Sequence, residues 1–438
     1  MLRGDTFMER KMYKKLQSWK NSSHRRPMLL QGARQVGKTY SALDFGKKEF
    51  ANTIYLNFEG SPYLKNIFSA DLNPHRIIEA ISAFTGQSIL PEKTLLIFDE
   101  IQACEEALTS LKYFCEEAPE YCIIAAGSLL GVAINREKYS FPVGKVDMLT
   151  MYPLDFEEFL IANDAPKVAS MIREYAGTCQ PFPLHEQALD YYQNYLIVGG
   201  MPQVVKEYVE TKDFNRVMAC QYTLNDSYIA DMAKYATPQD TAKTLAVWQC
   251  LPAQLAKENQ KFQYKLIKSG ARAHQYELSI DWLRSAGMIH KCYLTKEGFL
   301  PLCAYTDNSS FKIYMVDTGL LCSKFRIPAN IIKNSPHGFD GFKGALVENY
   351  IMQALCANGL EPYYWTSPGK AELDFLFQDA KGNIIPVEVK SADHVRSKSL
   401  HTFCKKYQVP YAYRISTRNF GFENNIKSYP LYAAFTIS

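Results

Sequence analysis

Met28-Leu29-Leu30-Gln31-Gly32-Ala33-Arg34-Gln35-Val36-Gly37-Lys38-Thr39-Tyr40 is the stretch whose reading decides the fold. Met28 to Leu30 is a short apolar run of the kind that forms a buried strand, and a helical pattern continues from Thr39 to about Lys48. Between them lies Gly32-x-x-x-x-Gly37-Lys38-Thr39, which gives the strand, glycine-rich turn and helix of a P-loop. The residue types follow from the chemistry. Gly32 and Gly37 let the backbone turn so that the N–H groups from Gly32 through Ala33, Arg34, Gln35, Val36 and on to Tyr40 can face phosphate oxygens. The helix N-terminus adds partial positive charge, Lys38 can reach the β/γ-phosphates, and the Thr39 hydroxyl can ligate Mg²⁺.

Thr94-Leu95-Leu96-Ile97-Phe98-Asp99-Glu100 is an apolar strand ending in two carboxylates, the Walker B pattern. Asp99 is expected to hold Mg²⁺, and Glu100 to orient or deprotonate an attacking water. With both motifs in order, the chain reads as one that binds ATP with Mg²⁺ and hydrolyses it, with Glu100 and Lys38 as catalytic residues.

The 438 residues suggest about three domains, and 47% hydrophobic with 21% charged residues is the composition of a globular protein. No apolar run approaches the roughly 18 residues of a membrane span. Met1 to Lys15 is charged from the start and has no signal-peptide apolar core. The eleven cysteines include no C-x-x-C pair, which argues against a zinc ribbon or disulfide framework and for a reduced, cytoplasmic setting. The eight histidines show no zinc spacing, and a net charge of +4 is too small to argue for nucleic acid by itself.

Met8, Met12, Leu16 and Trp19 recur at helical spacing before the P-loop. After it, strands are expected at Thr53–Phe58, Thr94–Asp99, Tyr121–Ala126 and Val146–Met151, with helices at Pro74–Phe84 and Glu105–Glu117. That alternation predicts a parallel sheet covered on both faces. A strand between the P-loop and Walker B strands is typical of the ATPase branch that includes AAA+ proteins. In that branch, the polar residue ending the strand after Walker B senses the γ-phosphate, a place held here by Ser128.

Gly127-Ser128, Gly144-Lys145-Val146, Tyr152-Pro153-Leu154-Asp155-Phe156-Glu157-Glu158-Phe159, Gly199-Gly200-Met201-Pro202 and Phe311-Lys312-Ile313-Tyr314-Met315-Val316-Asp317-Thr318-Gly319-Leu320 follow one another in a familiar order. Together they resemble a prokaryotic family of AAA-type ATPases with a poorly characterised C-terminal domain, over nearly the whole chain. In that family an Arg usually stands where this chain has Lys145. Lysine cannot make a bidentate phosphate contact, and Arg136 is a substitute to consider. The resemblance implies an ATPase whose sites usually lie between subunits, compatible with an oligomer.

Residues 161–240 read as a tyrosine-rich helical lid or connector after an ATPase domain spanning 1–160. From 241 to 305, helical pieces at Leu251–Ala256, Tyr264–Lys268 and Ala271–Ser285 precede a strand at His290–Leu294, the order of a winged helix. Seven Lys/Arg against three Asp/Glu between Leu255 and Cys292 favour phosphate contact by Lys265, Lys268, Arg272 and Arg284. Winged helices also hold protein partners, so both DNA and a protein are open as ligands.

Residues 306–438 contain a helix with Glu348, a strand with Asp374 and a strand with Glu388-Val389-Lys390. They resemble the restriction-endonuclease-like PD-(D/E)xK fold, in which Asp374 and Glu388 would hold Mg²⁺, Lys390 would activate water and Glu348 would help place the metal. Leu373 stands where the namesake proline would be. The fold expected is therefore α/β, a P-loop parallel sheet with helical lid followed by winged-helix and nuclease-like parts. The C-terminal half reads either as a nuclease or as a nucleotide-gated DNA- or protein-binding scaffold.

Overall fold

The computed structural model describes residues 8, 10–128, 141–235, 238–257, 261–334, 340–367, 371–390 and 398–438. The chain divides into two compact units. One comprises 9–152 with Ser285–Gly287, the other Pro153–Arg284 with Met288–Ser438. The stretches 161–240, 241–305 and 306–438 thus all fall in the second unit, apart from Ser285–Gly287.

The first unit opens with helix α1 (Met12–Lys20), whose Met12, Leu16 and Trp19 are buried at the expected helical spacing. Then follow β1 (Met28–Gln31), α2 (Lys38–Glu49), β2 (Asn52–Asn57), α3 (Lys65–Ser69), α4 (Pro74–Thr85), β3 (Thr94–Asp99), α5 (Glu105–Glu117), β4 (Cys122–Ala126) and β5 (Asp147–Thr150). The five strands form a parallel sheet in the order β2-β3-β4-β1-β5. Every residue of β3 and β4 is buried, as continuous apolar runs in a doubly covered parallel sheet require. Strand β4 lies between β1 and β3, the arrangement anticipated from the sequence. Phe58, Phe68 and Phe98 meet edge to face, 5.5–5.8 Å apart, and lock β2 and α3 over β3.

The second unit starts with five helices: α6 (Phe156–Ala162), α7 (Pro166–Thr178), α8 (His185–Val198), α9 (Pro202–Thr211) and α10 (Phe214–Tyr235). Asp155 and Glu158 form a capping box that starts α6. Tyr192 and Tyr195 are buried against Tyr350 and Phe156 at 4.9 and 5.7 Å, so this tyrosine cluster is packing. The motifs behind the family resemblance meet here. Gly200 N donates to Asp317 Oδ2 (2.6 Å), Leu154 N to the Gly200 carbonyl (2.7 Å), and the Tyr195 hydroxyl to the Leu154 carbonyl (2.6 Å). Three of those motif segments are therefore tied into one buried structural knot.

Next come α11 (Pro238–Leu255), a 3₁₀ turn at Tyr264–Leu266, α12 (Ala273–Ser285), β6 (Ile289–Thr295) and β7 (Thr306–Met315). The helix expected to begin at Leu251 is instead the last turn of α11. Thr244, Val247, Trp248, Leu251 and Leu255 are buried one helical turn apart, and this apolar stripe carries the helix through Pro252 despite its missing N–H. Lys261 bridges to Lys312 of β7, so the pair β6–β7 gains a third, minimal strand.

The chain continues through α13 (Thr318–Phe325), α14 (Ala329–Asn334), α15 (Asp340–Ala357), β8 (Tyr363–Thr366), β9 (Glu372–Gln378), β10 (Ile384–Val389), α16 (Lys398–Tyr407), β11 (Ala412–Ser416), β12 (Gly421–Glu423) and β13 (Ile426–Pro430). The resulting sheet is mixed and eight-stranded, ordered β12-β13-β11-β10-β9-β8-β6-β7. The strand expected at His290–Leu294 thus lies next to the edge of this sheet: β6 runs parallel to β8, and β7 closes the border. Among the described residues no helix is long and apolar enough to cross a membrane.

Candidate functional site

The P-loop turn joins β1 to α2 at close quarters. At Gly32, with φ +136°, a Cβ would lie 2.1 Å from the Met151 carbonyl oxygen, so no other residue fits that turn. Gly37 caps α2 with a left-handed φ of 95°, which points the first helical N–H groups into the loop. Inside this cradle Lys38 is 7% exposed, and its Nζ donates to the carbonyls of Gly32 (3.0 Å) and Ala33 (2.8 Å). Burial pushes its ammonium down to about 8, only partly offset by Glu100 and Asp99.

The two motifs meet through a hydroxyl. Thr39 Oγ1 donates to Asp99 Oδ2 at 3.0 Å, and Asp99 Oδ1 accepts the Glu100 N–H at 3.1 Å. Glu100 has a left-handed φ of 50°, a turn that lets its carboxylate leave the strand line, and Gln102 Nε2 holds Oε2 at 2.5 Å. A hydroxyl and a carboxylate already in contact, beside a cradle of N–H groups, are the donor set that Mg²⁺ takes up together with a triphosphate. The residues therefore fit Mg-ATP. Ser128 is buried just beyond β4. Arg34 is half-buried and Tyr40 is 54% exposed. Lys145 makes an ion pair with Glu116 at 2.9 Å, and Arg136 lies outside the described residues.

Sequence reasoning passed over three residues here. Arg10 donates to the Val36 carbonyl (2.9 Å) and the Tyr152 carbonyl (2.7 Å), bracing the loop from outside. Tyr55, on β2, donates to Asp99 Oδ2 at 2.7 Å, and Asn57 Nδ2 donates to the Tyr55 hydroxyl at 3.1 Å. A signal existed for the last two. Tyr55 and Asn57 alternate with buried Ile54, Leu56 and Phe58 on the strand next to Walker B, so both face one way.

The second unit gathers a different set of charges. Glu348 comes from α15, Glu372 and Asp374 from β9, and Glu388 and Lys390 from β10 and its end. Asp374 Oδ2 accepts the Val389 N–H (2.7 Å), Lys390 pairs with Glu388 (3.1 Å), and the Tyr314 hydroxyl donates to Glu348 (3.2 Å). Across the face of the intervening strands reaches Lys312 of β7. It is 2% exposed, its Nζ lies 2.7 Å from Glu372 Oε1, and the ring of Tyr364 is 5.1 Å away. Glu348, Glu372 and Asp374 together overcome burial and raise its ammonium above the ordinary lysine range. Burial pushes the carboxyl of Glu348 up to about 7 and raises that of Asp374, with Lys312 opposing both shifts.

The four expected nuclease-like residues thus share one neighbourhood. Among the described residues no three His, Cys, Asp or Glu side chains are placed to hold a metal together. Glu372 faces Lys312, Glu388 Oε1 faces Lys390, Glu348 accepts from Tyr314 and Asp374 accepts the Val389 N–H, while Glu388 Oε2 is buried without a hydrogen-bond partner. Lys312 is the residue that the sequence patterns leave without a role. Its signal was a lysine among the apolar residues of a buried strand, Phe311, Ile313 and Tyr314. Of the basic candidates, Lys265, Lys268, Arg272 and Arg284 are all exposed, around and along α12.

Residues 24–160 match the family described as AAA domain. Residues 189–330 and 343–433 match two families, each described as a domain of unknown function (DUF8612 and DUF4143). No curated protein matches the chain. Among solved structures, the Walker-type ATPase of Pyrococcus abyssi is 16% identical with a TM-score of 0.45, over 75% of this chain and 99% of that one. The ORC2 protein of Aeropyrum pernix in its ADP form is 12% identical with a TM-score of 0.33, over 76% and 95%. The RuvB Holliday junction branch migration motor of Thermotoga maritima is 15% identical with a TM-score of 0.32, over 65% and 90%. At these scores the reading of the site rests on this chain's own residues and on the AAA match, which identify the first unit as an AAA-type P-loop domain.

Proposed function

We propose that the protein is a Mg-dependent ATPase whose nucleotide state governs engagement of DNA by its C-terminal half. The observation that carries the reading is the contact between Thr39 and Asp99 beside the Gly32–Thr39 cradle. Lys38 exchanges its two carbonyl partners for phosphate oxygens, and the loop N–H groups hold the rest of the triphosphate tail. Thr39 and Asp99 would hold Mg²⁺, which supplies charge neutralisation at the phosphates. Glu100 accepts a proton from the attacking water, and Ser128 monitors the terminal phosphate. In this reading 1–160 is the ATPase domain, 161–240 a lid or connector, 241–305 a winged-helix-like module and 306–438 a restriction-endonuclease-like core.

Two observations support the C-terminal assignments. Helix α11, the Lys261 bridge, the 3₁₀ turn, α12 and the β6–β7 hairpin follow winged-helix order, with Lys265, Lys268, Arg272 and Arg284 exposed. From α15 to β11 the order helix, three strands, helix, strand, with β10 parallel to β11, suits a nuclease-like core. The ammonium of Lys312 among the carboxylates favours a core that binds DNA without cutting it.

One preparation tests both halves. Equilibrium dialysis with labelled ATP and Mg²⁺ should show uptake by the wild type and none by Lys38→Ala. Plasmid incubated with Mg²⁺ or Mn²⁺ should remain intact yet be retained in a salt-sensitive way, with a salt slope lowered by about one for each of the four basic residues removed. Uptake by Lys38→Ala would overturn the ATP site. Cleavage that Asp374→Ala abolishes would overturn the non-cutting core, and retention absent even at low salt would point to a protein partner.

A further inference from the structure

We propose that Tyr55 is a positioning residue for the magnesium ion of the nucleotide site, a role that rests on the ATPase reading above. Tyr55 belongs to neither nucleotide motif. It stands on β2, whose register places Tyr55 beside Ile97 and Asn57 beside Asp99. From there its hydroxyl reaches Asp99 Oδ2 at 2.7 Å, the same oxygen that accepts Thr39 Oγ1 at 3.0 Å.

The direction of the phenol's proton is set by its other neighbour. Asn57 Nδ2 donates to the Tyr55 oxygen at 3.1 Å, so the tyrosine proton is directed to the carboxylate. Asn57 is itself fixed, because its Oδ1 accepts the N–H groups of Glu59 (3.0 Å) and Gly60 (2.6 Å) in the turn after β2. The relay from that turn through Asn57 and Tyr55 therefore ends on Asp99.

Three hydrogen bonds thus set the plane of the Asp99 carboxylate: Glu100 N–H on Oδ1, Thr39 and Tyr55 on Oδ2. All three donors are neutral. They fix orientation and leave the negative charge for a cation, which is what a preorganised ion ligand requires. Thr39 can keep its bond to Asp99 while its lone pair faces an ion. Tyr55 has no such second duty, and its part is to stop the carboxylate turning.

The test is the magnesium dependence of binding of a fluorescent ATP analogue to the full chain, with an EDTA arm. Tyr55→Phe removes one oxygen and keeps the ring. It should leave binding in EDTA within about twofold and raise the Mg²⁺ concentration for half-maximal tightening by about 3- to 10-fold, the range for one ordinary hydrogen bond. Asn57→Ala should shift the curve in the same direction by less. Magnesium curves that coincide for wild type and Tyr55→Phe, with normal uptake of the analogue, overturn the role of Tyr55. A wild type that takes up no analogue in either arm overturns the ATPase reading itself.

Discussion

Lys38 and Lys312 are both almost fully buried, and they are in opposite electrostatic positions. Lys38 bonds to two neutral carbonyls, and its ammonium is pushed down to about 8. Lys312 touches Glu372, has Glu348 and Asp374 nearby, and is pushed up. A buried ammonium that bonds only to dipoles, with Glu100 and Asp99 too weakly coupled to offset its burial, has an unmet demand for an anion, and the loop around it is shaped to admit one. A buried ammonium already among carboxylates has that demand met from within the chain. The first arrangement belongs to a ligand site. The second closes a charge cluster, whatever chemistry the surrounding fold performs elsewhere.

The largest expected effect tests that contrast through stability. Lys312→Met strands Glu372, Glu348 and Asp374 without their cation. Removing one partner of a buried ion pair costs about 3–5 kcal/mol. The Glu372 side chain is 36% exposed, so screening brings the expectation down to about 2–4 kcal/mol. Lys38→Met strands no carboxylate and should change stability by less than about 1 kcal/mol. Urea unfolding, followed separately for the transition of each unit, measures both. Equal losses for the two variants would erase the distinction.

Glu100→Gln is next in size and asks whether the open site does chemistry. The amide keeps the shape and the Gln102 contact but cannot accept a proton from water. Turnover should fall at least about 100-fold, or about 2.7 kcal/mol of barrier, while ATP uptake persists. Unchanged turnover would remove Glu100 from the mechanism.

How much of this was legible in the sequence differs between the two regions for a physical reason. The nucleotide cradle is contiguous: the requirements of Gly32, Gly37, Lys38 and Thr39 are set within one turn, so their spacing alone states the geometry. Walker B added one strand end, and the strand order followed. The carboxylate cluster is assembled from four distant elements. Sequence could place Glu372 with Asp374 and Glu388 with Lys390 by strand alternation. It could not show that β7 would join the same sheet and bring Lys312 across it, because sheet order is a long-range outcome. The same limit hid Tyr55, whose partner Asp99 is on the neighbouring strand. Conversely, the Gly199-Gly200, Leu154 and Asp317 motifs were visible as a pattern, and only the fold shows that they are joined by hydrogen bonds.

The smallest expected effect comes from the charge state of Lys38 itself. In the free protein its ammonium titrates near 8, and a bound polyphosphate raises that value by supplying the missing anion. Binding therefore favours the protonated lysine. Below pH 8 the lysine is already charged, so ATP affinity is flat. Above it each binding event must take up a proton, and affinity falls towards tenfold, or about 1.4 kcal/mol, per pH unit. ATP is fully ionised throughout that range and contributes no opposing slope. Lys38→Arg keeps its charge at every accessible pH and should bind with no such slope, even if more weakly. Titrations of a fluorescent ATP analogue at pH 7, 8 and 9, near the titration point at about 8, decide the matter. A wild-type affinity that stays level to pH 9 would mean that Lys38 is no less satisfied than Lys312, and the contrast between the two buried ammonium groups would fail at its source.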